Sequence, residues 1–118
     1  MSKPLLILIA GPYRSGTDGD ADAIARNLER LEAAAAPLHR LGHVPMIGEW
    51  VALPVLRAMD AAEVAGSDVM YDVAARLLQH CDAVLRLPGE SKGADNDVVI
   101  ARERGLPVYS SLDEVPAA

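Results

Sequence analysis

The sequence predicts an α/β fold: a small doubly wound parallel sheet of about four strands, Rossmann-like or flavodoxin-like. Three observations lead there. Short apolar runs alternate with segments of helical periodicity, which implies parallel strands joined by helical crossovers. The first run, "PLLILIA" (residues 4–10), is apolar throughout rather than alternating, as in a strand covered on both faces. Phe is absent and aromatic residues make up 3% of the chain. The core is therefore Leu, Val, Ile and Ala, and Ala-rich faces suit helices lying close on a sheet.

The elements follow in order. Gly-Pro ends the first strand, and "GPYRSGTDGD" (11–20) is a loop. From Asp20 or Asp22 an apolar stripe runs through Ile24, Leu28, Leu31, Ala35 and Leu38 at spacings of 4, 3, 4 and 3, one face of a single helix. Pro37 kinks that helix near its end and Gly42 stops it. "HVPMI" (43–47) is a short second strand, left by the loop "GEW" (48–50). Residues 51–66 are helical in part, with Pro54 near a start. "DVMYDVAARLLQH" (68–80) is a helix and "DAVLRL" (82–87) the third strand. Residues 95–104 form a helix with Asp95 as N-cap and Asp97 in its first turn, closed by Gly105. "LPVYS" (106–110) is the fourth strand, and "SLDEV" (111–115) adds a last short turn.

The chain has 118 residues, which predicts one domain spanning 1–118. A formal net charge of −6 argues against a nucleic-acid polymer or an anionic membrane as main partner. It leaves room for a nucleotide held by one local anion site. The single cysteine, Cys81, forbids an internal disulfide and suits a reducing compartment. Residues 4–10 are too short for a membrane span and lack the flanks of a signal peptide, so a cytoplasmic location is expected. No His/Cys cluster has metal-ligand spacing, and neither a metal nor a cofactor is expected.

In an open parallel sheet, ligands bind outside the carboxyl ends of the strands. Four segments leave those ends: 11–16, 48–50, 88–97 and 109–111. His43 and Asp82 open strands at the opposite edge and are read as structural. "GPYRSGT" has Gly11 and Gly16 but Thr17 where a nucleoside-triphosphate loop needs Lys, and Tyr13 breaks the dinucleotide pattern. What remains is a turn whose glycines, backbone N–H groups and Arg14 suit one phosphate or sugar. In "GEW", Trp50 either stacks on a base or plugs the core, and Glu49 either contacts a ligand or stays at the surface. In "LPGESKGADNDVVIA" (87–101), the acids are either ordinary helix-start residues or a site. A carboxylate at a helix N-terminus is kept ionised by the dipole, as a carboxylate nucleophile requires.

The segments "IAGPYR", "GHVP", "HCDAVLRLPGESKGADND" and "GLPVY", in this order and spacing, resemble the nucleoside 2-deoxyribosyltransferase superfamily, which includes nucleoside 5′-monophosphate N-glycosidases. The resemblance covers residues 4–110. In that family a Ser-x-Gly-x-x-x-Glu pattern follows the third strand, and its Glu attacks the anomeric carbon to form a covalent glycosyl-enzyme. Ser91 to Asp97 fits the pattern, with Asp97 at the nucleophile's place. The resemblance implies that Gly11, Pro12, Tyr13, Arg14, Ser91 and Gly93 hold the sugar or its 5′-phosphate; Glu49 and Trp50 are substrate-binding candidates from their strand-end position, and Asp95 is a candidate to take part beside Asp97. It also implies a homodimer or higher homo-oligomer. This sequence departs from the family at three places. Asp97 is one methylene shorter than Glu. Leu8 stands where the family often has Tyr, with Tyr13 as a substitute. Ala74 stands where the family has a helical Asp, which makes Asp72, two residues away, the candidate acid.

The expected function is thus an N-glycosidic bond hydrolase or (deoxy)ribosyltransferase acting on a nucleoside or nucleoside 5′-monophosphate. Two alternatives stand beside it: a non-catalytic nucleotide- or nucleoside-binding module, and a metal-dependent phosphohydrolase using Glu90, Asp95 and Asp97.

Overall fold

A computed structural model of the chain describes residues 3–118. Residues 1 and 2, the first positions of the expected domain, lie outside the described residues. The fold is α/β. Strands β1 (Leu6–Ala10), β2 (Val44–Met46), β3 (Ala83–Arg86) and β4 (Val108–Tyr109) form one all-parallel sheet in the order β2-β1-β3-β4. Helices α1 (Ala21–Glu32) and α2 (Ala35–Arg40) join β1 to β2. Helices α3 (Gly48–Ala58), α4 (Ala61–Ala65) and α5 (Val69–Leu78) lie between β2 and β3, and α6 (Lys92–Glu103) between β3 and β4. Among the described residues, no helix is long and apolar enough to cross a membrane.

Alternate residues of β1 build two cores, as the pleat requires. Ile7 and Ile9 pack with Leu31, Ala34 and Leu38 of the α1–α2 side. Leu8 and Ala10 pack with Leu78, Ala94 and Ala101 of the α5–α6 side. Because β1 is buried on both faces, its apolar run has no polar alternation. After β1 the chain moves to one side of the sheet, and after β2 it crosses back to β3. The carboxyl ends of β1 and β3 therefore flank the point where strand order reverses, the usual place for a ligand in such sheets.

His43 and Asp82 sit at the opposite edge, as their strand-opening positions predict. The Leu5 N–H donates to His43 Nδ1 at 3.0 Å, so Nε2 carries the ring proton and donates to the Pro116 carbonyl at 2.6 Å. The Leu6 N–H donates to Asp82 Oδ2 at 2.9 Å. These side chains satisfy backbone donors where β1 enters the sheet. His43 is only 3% exposed, and its two bonds account for both ring nitrogens.

The helix boundaries correct the sequence reading in three places. The expected long helix from Asp20 to Leu38 is two helices, interrupted at residues 33–34. Pro37 has no N–H for the Ala33 carbonyl, so the helix stops and restarts. The restart puts Pro37 in the first turn, where a missing donor costs little. "GEW" is not a loop but the first turn of α3, which continues past Pro54 rather than starting near it. The helix α6 begins at Lys92, not Asp95. Its N-cap is Ser91, whose hydroxyl accepts the Ala94 N–H at 3.1 Å.

Candidate functional site

A cavity of about 970 Å³ opens at the carboxyl end of the sheet, a volume ample for a nucleotide. Its wall includes Gly11, Pro12, Tyr13 and Arg14 after β1, Glu49 at the start of α3, and Ser91, Gly93 and Asp97 of α6. These segments are far apart in sequence and meet at the strand-order reversal. Ser91 is 5% exposed. Its hydroxyl accepts a backbone bond as the cap of α6 and keeps its own hydrogen to donate to a ligand.

Asp97 follows Gly93 and Ala94 by four and three residues, so all three share a face of α6. The two small residues leave the carboxyl open to the cavity. A Cβ built on Gly93 would meet nothing within 4 Å. With the helix starting at Lys92, Asp97 lies beyond the first turn, where the dipole fades. The sequence reading put it in the first turn and kept it ionised. Instead, burial, followed by the charge of Glu49, pushes its pKa up to about 7 against a weaker opposing pull from Arg86. Burial also raises the pKa of Glu49, opposed by its own backbone N–H. Two half-buried carboxyls thus share one cavity and one field. Near neutral pH such a pair divides its roles, one ionised and one holding a proton.

Three candidates do not reach the cavity wall. Asp72 is exposed on α5; the cavity meets that helix through Met70, Tyr71 and Ala74. Asp72 sits two residues from Ala74, roughly 200° around the helix. Asp95 turns away for the same reason relative to Asp97. Its side chain, 71% exposed, pairs with Arg86 at 2.9 Å. That arginine also bonds the Leu87 carbonyl and the Gly89 carbonyl, so it braces the turn after β3. Trp50 neither lines the cavity nor joins the core. It is 38% exposed, and its Nε1 donates to Glu32 Oε2 at 2.8 Å. Among the described residues, no group of three or more His, Cys, Asp or Glu is placed to hold a metal ion; Glu90, Asp95 and Asp97 do not form one.

Sequence reasoning missed the wall contributed by α1: Arg26, Asn27 and Arg30. Asn27 is 7% exposed. Its amide donates to the Tyr13 carbonyl at 2.8 Å and its Oδ1 accepts from Arg30 Nη1 at 2.9 Å. Thr17, also buried, donates to the Arg14 carbonyl at 2.6 Å. Asn27 therefore fastens the loop after β1 to α1, and Thr17 closes the loop on itself. The available signal was two arginines four residues apart beside a Gly-rich loop in a net acidic chain. Compared with known proteins, the chain matches no family model and no curated sequence.

Proposed function

We propose that the chain cleaves the N-glycosidic bond of a nucleoside or nucleoside 5′-monophosphate through a carboxylate nucleophile, by hydrolysis or by transfer to a second base. The observation that carries this reading is the pairing of Asp97 with Glu49 in a cavity lined by the Gly11–Arg14 loop and Ser91. Ionised Asp97 bonds to the anomeric carbon as the carbon–nitrogen bond breaks. The bond's electron pair leaves with the base, which takes a proton from solvent water; Glu49, whose charge acts on Asp97, stays free to serve as the base of the second step. A water or second base then attacks the same carbon, the bond to Asp97 breaks, and Glu49 accepts the released proton. Carboxylates suit both steps, because the sugar passes through oxocarbenium character. The open face above Gly93 lets a sugar sit deep enough for the short Asp side chain.

Incubation with a panel of nucleosides and 5′-monophosphates, with released base read by chromatography, tests the reading. Base release is expected, with a loss on the order of 10³-fold or more in Asp97→Asn. The absence of any release that depends on Asp97 removes it. A binding-only module is the second reading. It is favoured by the half-protonated state of Asp97 near pH 7, which weakens a nucleophile. Thermal stabilisation by the same ligands without release selects it.

The homo-oligomer belongs to the same proposal. Trp50, Val51, Val55, Val64 and Tyr71 expose apolar surface on α3, α4 and α5, beside the cavity that Tyr71 helps to line. Sedimentation is expected to give a dimer or larger; a monomer at all concentrations rejects it.

A further inference from the structure

The two chemistries of the cavity lie on opposite sides of the sheet. Asp97 belongs to α6, on the side of Leu8 and Ala10. Arg26 and Arg30 belong to α1, on the side of Ile7 and Ile9. Arg14 stands between them, in the loop over the end of β1. All three arginines line the cavity, and the one ion pair among the described residues is Arg86–Asp95. Three cations without a carboxylate partner thus gather in one cleft of a chain whose net charge is −6. None of the three forms an ion pair with the carboxylates of the same wall, so their guanidinium groups are free to bind an anion.

One of the cations, Arg30, is also held in place. Asn27, buried between them, bonds the loop through the Tyr13 carbonyl and bonds Arg30 through its Oδ1. Arg26 and Arg30 are one helical turn apart, on one face of α1. A single 5′-phosphate beside a sugar held over Asp97 meets the Gly11–Arg14 loop at the strand end. It does not also account for two further guanidiniums across the sheet. A second phosphate, extending away from the sugar, does.

We infer that the cavity binds a nucleoside 5′-diphosphate, its first phosphate on the Arg14 loop and its second between Arg26 and Arg30. Guanidinium groups recognise phosphate oxygens by paired, charge-assisted hydrogen bonds, and three positive charges match those of a diphosphate near neutral pH. The inference rests on the proposed glycosidic reading only for the direction in which the sugar points.

Titration calorimetry with nucleosides, 5′-monophosphates, 5′-diphosphates and inorganic pyrophosphate separates the cases, since it needs no turnover. The expected result is diphosphate binding about tenfold tighter than the matching monophosphate. That preference is expected to disappear in the double variant Arg26→Gln, Arg30→Gln and to return in part with Lys at both positions. Both side chains are exposed on a helix, so the variants fold, as circular dichroism will verify. Equal affinity for mono- and diphosphates, an unchanged preference in the Gln variant, or no binding of any phosphate overturns the inference. A diphosphate preference without base release leaves it standing while the glycosidic reading falls. Base release that is indifferent to phosphorylation has the opposite outcome.

Discussion

Asp97→Asn is expected to stabilise the protein at pH 8 while removing base release. In the folded chain the Asp97 carboxyl titrates near pH 7, against 3.8 for an unburdened aspartate. Between those values the folded state holds a proton that the unfolded state has lost. Stability therefore falls as pH rises from about 4 to 7, and above 7 the penalty is complete and constant. Asn, neutral at every pH, avoids it. The variant and the parent should match near pH 4 and differ by on the order of 2 kcal/mol at pH 8, allowing for the partial solvent access of the side chain. That corresponds to a rise in Tm of roughly 5–10 °C for a domain of this size. Calorimetric melting at both pH values checks it. The difference between the two proteins isolates Asp97 from other titrating groups. An Asn variant that is equal or less stable at pH 8 shows a carboxylate compensated by its surroundings, and the paired-acid picture then fails. A residue whose removal helps the fold and harms the chemistry is retained at a cost in stability, which a surface or capping aspartate does not incur.

The same residue marks where sequence reasoning stops. The alternation of strands and helices, the doubly covered β1 and the edge positions of His43 and Asp82 were legible, because each depends on local pattern and on one rule of sheet topology. The state of Asp97 was not. Ser91 and Asp95 are both good N-caps, and spacing alone does not choose between them. The turn at Pro88–Gly89 and the buried hydroxyl of Ser91 do, and the choice moves Asp97 out of the first turn. Glu49 was named from its strand-end position, but its influence on Asp97 depends on α3 starting at Gly48 rather than after Trp50. Arg26 and Arg30 carry no local signal beyond their spacing of four on α1. Only the fastening of Asn27 to the loop shows that their face of the helix turns toward the cleft.

Gly89→Ala is expected to be the most damaging small substitution at the site. Gly89 has φ +117°, and a Cβ there would stand 2.7 Å from Cγ of Pro12. A φ of that size lies beyond even the left-handed helical region that Asn or Asp tolerates, and it costs about 1–3 kcal/mol for a side chain. The collision adds about 1–3 kcal/mol, because the Pro12 ring is tied to the backbone and can yield only by changing its pucker. The sum is a large share of the roughly 5–15 kcal/mol that holds a domain together. Urea denaturation should show the midpoint falling with little change in slope. The loss extends to ligand binding, since Gly89 and Pro12 are where the two loops of the cavity touch. Gly93→Ala provides the contrast. It sits in α6 at a site where a Cβ meets nothing, so stability holds or gains up to about 1 kcal/mol. Its methyl group projects into the cavity, and ligand binding weakens all the same. If both variants lost binding only in proportion to stability, the open face above Gly93 would not be where the ligand lies.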